Sequence, residues 1–245
     1  MTSPSPTAPT DATIAQEQDW NHRQMLQPVT QPRFRVWTYA QPGIVLGCSQ
    51  RKYLDGVLAR RPQGVDVLQR PSGGGAVLTG PWMVSASVVL PLDHPWVQGR
   101  IPDSYQALGQ LHVDVLGHLG VPCTALPAGD VAQANPRTGA LVDWACYGSL
   151  APWEVVDARA RKLVGLAQRR QRTGVLLVAG TLVTVPDWPL LCHALGFDGD
   201  AAAMARRTVA CEQLTAHPPS AAQVAQNLGD ALAHALGAAS APSSE

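Results

Sequence analysis

Residues 162–183 read as strand, turn, strand: two runs of strand formers, 162–170 and 174–183, flank a polar break at 171–173, the pattern of a hairpin. A second stretch rich in strand formers covers residues 76–90, and shorter strands are expected at 34–39 and 43–47. Apolar residues at helical spacing lie outside this block. Residues 13–27 carry Ile14, Trp20 and Met25 and stop at Pro28. Asp103 can cap a helix running to about Leu119, with Leu108, Leu111, Val115, Leu116 and Leu119 on one side. Ser220 can cap a last helix with Val224, Leu228, Leu232 and Leu236 at i, i+4 spacing. After Val185 there is room for one or two helices. Strands with helices fore and aft predict an α+β fold around a mixed or antiparallel sheet rather than strict βαβ alternation.

The Pro, Ser, Thr and Ala-rich ends, 1–12 and 238–245, are expected to be disordered tails. Residues 13–237 hold no linker and no internal repeat and read as a single domain. Composition narrows the function classes. With 46% hydrophobic and 15% charged residues, the bulk of the 245-residue chain is folded. Lys and Arg balance Asp and Glu at 18 each, so no global basic field exists for nucleic acid, and an electrostatic partner must be met locally. No apolar run approaches the ~18 residues of a membrane span, and no Lys or Arg precedes Arg23, so a cytoplasmic location is expected. Five scattered cysteines, Cys48, Cys123, Cys146, Cys192 and Cys211, argue against a disulfide framework, and without CxxC or HExxH no metal site is expected.

Three segments can carry chemistry. The first, Arg70-Pro71-Ser72-Gly73-Gly74-Gly75-Ala76-Val77, follows the apolar run 65–68. A glycine triplet lets backbone N–H groups approach an anionic or carbonyl ligand, with Arg70 as a charged donor beside it; the same residues also suit a plain turn between strands. The second holds Cys146, between a strand-like run and a turn with Gly148 and Pro152, where a thiol is either exposed at a sheet edge or packed as a small hydrophobe. The third is the hairpin itself. Between residues 158 and 186 stand six basic residues, Arg159, Arg161, Lys162, Arg169, Arg170 and Arg172, and no acidic one. An acidic partner can dock there, or the arginines form a solvated rim. Lys52 and Lys162 are the only lysines among the 18 basic residues, so Lys162 suggests a compact ammonium aimed at a carbonyl or oxyanion where a planar guanidinium would not fit. The histidines fall at no ligand spacing; His94 is a conceivable base for Cys146 that nothing in the sequence brings to it.

In order and spacing, these segments resemble the catalytic domain shared by biotin and lipoate protein ligases. The 70–77 segment is similar to that family's acyl-binding glycine loop. Arg161-Lys162-Leu163-Val164-Gly165-Leu166-Ala167-Gln168-Arg169-Arg170 is similar to its lysine strand, and Gly174-Val175-Leu176-Leu177 continues the match. Val45-Leu46-Gly47-Cys48-Ser49-Gln50 resembles the strand and turn before the glycine loop in lipoate enzymes, and the likeness spans about residues 13–236. Within the family, Ala145-Cys146-Tyr147, sixteen residues before Lys162, is most similar to the cysteine-dependent octanoyltransferases. Two positions depart from them: Val77-Leu78-Thr79-Gly80 stands where they usually have Val-Leu-His-Asp, and Gly75 is more similar to the ligases.

The resemblance implies a mixed or antiparallel sheet flanked by helices, like the biotin synthetase and class II aminoacyl-tRNA synthetase catalytic domains. It implies transfer of an octanoyl or lipoyl group from a carrier thioester, through a Cys146 thioester, to a lysine of a lipoyl-carrier protein. Cys146 and Lys162 would be catalytic, with Lys162 favouring the thiolate and stabilising the oxyanion. Arg70, Ser72, Gly73, Gly74, Gly75, Ala76, Val77, Gly165 and Ala167 would bind substrate, and Val77, Val164 and Leu166 are candidates for an acyl tunnel. Arg159, Arg161, Arg169, Arg170 and Arg172 would dock the partners, an octanoyl-carrier protein as donor and an acidic lipoyl domain such as glycine cleavage protein H as acceptor. A transferase requires no cofactor. The alternative, an ATP-dependent lipoate–protein ligase working through an acyl-adenylate, would need ATP and Mg and leave Cys146 merely packed. From another class, a non-catalytic lipoyl-carrier binding protein would keep the basic hairpin alone.

Overall fold

The computed structural model describes residues 11–237, and their short apolar runs, broken by Gly and Pro, form many short elements. In chain order these are α1 (Ile14–Gln24), β1 (Arg33–Trp37), β2 (Gly43–Leu46), α2 (Leu54–Arg60), β3 (Asp66–Gln69), β4 (Val77–Thr79), β5 (Met83–Leu90), α3 (Gln106–His118), β6 (Thr124–Ala125), α4 (Val131–Ala134), β7 (Val155–Val156), β8 (Lys162–Gln171), β9 (Gly174–Leu182), α5 (Trp188–Leu195), α6 (Ala201–Arg207) and α7 (Ala221–Leu236). A six-stranded sheet, ordered β1-β5-β9-β8-β7-β6, is antiparallel throughout. A three-stranded sheet, β3-β2-β4, pairs β2 parallel to β3 and antiparallel to β4. The fold is therefore α+β, with a mixed small sheet beside an antiparallel large one.

The hairpin forms as read, with a tighter turn: Gln171 pairs with Gly174, leaving Arg172 and Thr173 as the loop. Its tip is pinned to the segment after α1, because Thr173 Oγ1 donates to the Met25 carbonyl (2.8 Å) and Val29 N–H to that of Thr173 (2.7 Å). Alternation along β9 divides the molecule. Val175 and Leu177 enter the core under α3 and α7, whereas Leu176 joins a cluster with Ile14, Trp20, Trp37 and Val45 on the other face. A third cluster packs the small sheet against α2 and α5.

Several helix ends follow from caps. Ser220 and Gln223 form a reciprocal capping box at α7, Gly237 closes it in a left-handed conformation (φ 57°), and Val224, Leu228, Leu232 and Leu236 are buried. Each such side chain contributes ~1.5–3 kcal/mol. Thr13 and Gln16 cap α1 the same way, but α1 ends at Gln24, short of Pro28. Asp103 caps nothing: its carboxylate pairs with Arg100 (3.0 Å) inside a 3-10 turn, and α3 starts at Gln106. Among the described residues three α-helices, not one or two, follow Val185, since α5 and α6 are too short to show a period. Order begins before the expected domain boundary, for Asp11 bridges to Thr38 and Ala12 N–H donates to the Thr38 carbonyl (2.7 Å). The rest of the expected tails, 1–10 and 238–245, lies outside the described residues.

Candidate active site

The glycine loop is built by close approach. A Cβ on Gly75 would lie 2.6 Å from the Ala145 carbonyl carbon and 2.7 Å from the Cys146 nitrogen, and one on Gly47 would lie 2.0 Å from the Gly74 oxygen. Only glycine lets these three backbones meet. They are then stitched together: Ala76 N–H donates to the Trp144 carbonyl (2.8 Å) and Cys146 N–H to that of Ala76 (2.9 Å). Gln50 Nε2 donates to the same Trp144 carbonyl (2.8 Å). The Cys146 turn, a 3-10 segment over Cys146–Gly148, is thereby fixed against the glycine loop, with Cys146 half-buried.

Arg70 acts on the loop rather than outward: Nη2 donates to the Gly73 (3.0 Å) and Gly75 (2.9 Å) carbonyls. The loop's own Gly73, Gly74 and Gly75 N–H groups bond nothing among the described residues.

A cavity of about 660 Å³, counting its open mouth, lies between the two sheets and α1. Arg70, Ser72, Val77, Cys146, Gly165 and Ala167 line it, and Gly73, Gly74, Gly75, Ala76 and Lys162 do not. Val164 faces the α3 and α7 core instead, and Leu166 belongs to that core while edging the cavity. Gly165 and Gly180 face each other across β8 and β9 to make room for Tyr147. A Cβ on Gly180 would come within 2.7 Å of the Tyr147 oxygen, which donates to the Gly180 carbonyl at 2.5 Å. Thr79 lines the cavity where the octanoyltransferases usually carry histidine, its hydroxyl donating to the Gly43 carbonyl (3.2 Å). One wall is polar: Glu17, Gln18 and Asn21 of α1. Burial pushes the Glu17 carboxyl up despite the Tyr39 hydroxyl donating to it at 2.8 Å.

Lys162 does come to Cys146, though not as the free cation expected from sequence. It is 1% exposed and its Nζ donates to the Cys146 carbonyl (2.8 Å) and to Glu154 Oε1 (2.8 Å), with Oε2 at 2.7 Å. Glu154 is equally buried and also accepts from the Ala151 (2.8 Å) and Leu166 (3.2 Å) N–H groups. Burial raises the Glu154 carboxyl, and the Lys162 cation works against that rise. The ammonium is thus neutralised behind the Cys146 turn and holds it in place. Sequence reasoning missed Glu154, although it is the single acidic residue between Asp143 and Asp157.

The basic run is divided. β8 is ten residues long, so ~30 Å separates its ends: Arg159 and Arg161 stand at the Lys162 end, and Arg169, Arg170 and Arg172 at the hairpin tip. Arg161 pairs with Asp157 (2.8 Å), and Arg170 donates to the Val97 carbonyl. No single patch of six residues exists. His94 does not line the cavity; its Nδ1 accepts from Trp96 N–H (3.2 Å). Burial pushes the Cys123 and Cys192 thiols up to about 11 and that of Cys211 to about 12; Cys48 is exposed outside the cavity, and Cys146 stands in its wall. Among the described residues no cluster of three or more His, Cys, Asp and Glu suits a metal ion, and no helix is long and apolar enough to cross a membrane.

The family described as lipoyl protein ligase A/B catalytic domain matches residues 13–233. The octanoyltransferase LipM of Kyrpidia tusciae is 34% identical over 215 residues, 84% of this chain and 76% of that protein. Two solved structures share the fold. A lipoate-protein ligase A bound with ATP has a TM-score of 0.67 at 18% identity, covering 96% of this chain and 85% of its own. A structure from Thermoplasma acidophilum, described as a bi-partite lipoate protein ligase and its E2 lipoyl domain, has a TM-score of 0.62 at 17% identity, covering 94% and 80%.

Proposed function

The chain belongs to the lipoyl protein ligase A/B catalytic-domain family and is an enzyme, and on that premise we propose that it is an octanoyltransferase acting through Cys146. The observation that carries this reading is Cys146 in the cavity wall, hydrogen-bonded into the glycine loop beside a sleeve of Val45, Val77, Leu176 and Val178 that suits an apolar tail. The relatives named octanoyltransferase point the same way. The fold alone, shared with an ATP-bound ligase, separates nothing.

Cys146 Sγ attacks the carbonyl carbon of a carrier-bound octanoyl thioester. The new C–S bond forms as the donor's C–S bond breaks, and the Cys146 proton leaves with the donor as its thiol. The acceptor lysine's amine then attacks the same carbon, an amide forms, and Cys146 recovers the proton that the amine gives up. The N–H groups of Gly73, Gly74 and Gly75, unpartnered among the described residues, lie outside the cavity lining but follow directly on its Ser72, and they are the donors left for a carbonyl or oxyanion brought against the loop. Lys162 serves by gripping the Cys146 carbonyl, and Glu154 positions Lys162. Under this reading ATP and Mg take no part, and the partners are an octanoyl-carrier protein donor and an acidic lipoyl-domain lysine acceptor, such as glycine cleavage protein H.

Intact-mass spectrometry after incubation with an octanoyl-carrier thioester tests the reading. One octanoyl adduct is expected, absent in Cys146→Ser and released by hydroxylamine. No adduct, with carrier modification only when ATP and free lipoate are added, would transfer the assignment to the ligase.

A further inference from the structure

A second cavity holds no acidic side chain in its lining and four arginines: Arg137, Arg159, Arg161 and Arg206, closed by Thr138 and Gly139. Only Arg161 is compensated, by Asp157 at 2.8 Å. Arg137 donates to the Ala158 carbonyl (3.1 Å), which ties two of the walls together without neutralising the charge. Arg206 and Arg159 make no ion pair among the described residues. Arg137, Arg159 and Arg206 are exposed, so solvent screens their mutual repulsion, but their summed positive potential attracts an anion, and guanidinium forks match phosphate oxygens in pairs.

Each wall adjoins the Cys146 turn. Arg159 and Arg161 lead directly into Lys162, whose Nζ sits on the Cys146 carbonyl. Arg206 lies on α6, which packs on that turn. Arg137 and Gly139 belong to the loop running into it, closed by Val142 N–H donating to the Gly148 carbonyl (3.0 Å). The arginine cavity is thus tied through its walls to the Cys146 turn while sharing no lining residue with the Cys146 cavity, so it suits a part of the donor remote from the thioester, such as a phosphate through which a carrier's thioester arm is attached.

We propose that this four-arginine cavity binds the phosphate of the acyl donor's arm and so orients the thioester toward Cys146; the inference rests on the octanoyl-transfer reading. The test compares octanoyl-phosphopantetheine with octanoyl-N-acetylcysteamine, which carries the same thioester and no phosphate. The rate of Cys146 acylation is followed by intact mass in wild type, Arg206→Ala and Arg206→Glu. For the phosphate-bearing donor KM rises about tenfold or more in Arg206→Glu, as for loss of a charge-assisted bond, and less in Arg206→Ala. For the phosphate-free donor both variants stay within about twofold of wild type, which also shows that they fold. Inorganic phosphate competes with the first donor only. Equal losses for both donors, no loss for either, or a loss confined to transfer onto the acceptor lysine would overturn the proposal. Calorimetry with deacylated phosphopantetheine separates this from failure of the octanoyl-transfer reading. Binding to wild type but not to Arg206→Glu upholds the cavity even if neither donor acylates Cys146, and equal binding to both overturns it.

Discussion

Replacing Glu154 by Gln probes how the Cys146 turn is held. At 2.7 Å the Lys162 ammonium and the carboxylate attract by about 6 kcal/mol with an effective dielectric of ~20, but each ion loses several kcal/mol of hydration on burial. The pair therefore nets little, while breaking it is costly. Gln offers one oxygen where Glu154 offers two, so the Ala151 or the Leu166 N–H also loses its acceptor. The expected loss is about 3–5 kcal/mol, a large part of a typical 5–15 kcal/mol domain stability. Urea unfolding at pH 7 measures it, with Lys162→Met and the double variant completing the cycle. Removing both charges should recover at least half of the loss, because neither ion is then stranded. A Glu154→Gln loss below about 1 kcal/mol, or a double variant whose loss equals the sum of the singles within ~0.5 kcal/mol, would refute the buried pair as the clamp.

Two further outcomes follow from geometry and burial. Gly75→Ala drives a Cβ to within 2.6–2.7 Å of the backbone of Ala145 and Cys146 and should slow Cys146 acylation about tenfold or more. Gly73→Ala points into open space and should stay within about twofold; similar rates for the two, read by intact mass, would contradict the close approach. His112, buried in α3 with Nδ1 2.7 Å from the Leu108 carbonyl, is pushed down to about 4 by burial. Its folded pKa lies below the unfolded ~6.5, so stability is full above pH 6.5 and is lost as pH falls toward 4. The loss is about 3 kcal/mol at ~1.4 kcal/mol per pH unit. Thermal melts from pH 7 to 4 should show it, flattened in His112→Leu; parallel slopes would rule out His112 as the source.

What local chemistry dictates could be read directly. Ser220 with Gln223, the hairpin around Arg172 and Thr173, and the α+β order all depend on neighbours a few residues apart. The glycine triplet, Cys146 and Lys162 stood out by residue type and spacing, enough to indicate the family. Short elements such as α2, α5 and α6 were not legible, since seven or eight residues barely complete two helical turns.

The site's working arrangement needed the tertiary structure. Period-two alternation on β8 and β9 decides that Gly165 and Ala167 face the cavity while Val164 faces the core, and pairing register sets that phase. Glu154 neutralises Lys162 only because β7 and β8 run side by side, and Ala76 reaches Cys146 only because Gly47 and Gly75 permit contact between distant segments. A run of like charges in sequence was likewise divided, because an extended strand carries its two ends ~30 Å apart. Residue types name the chemistry available to a chain; which groups meet, and which cancel, depends on contacts between segments far apart along it.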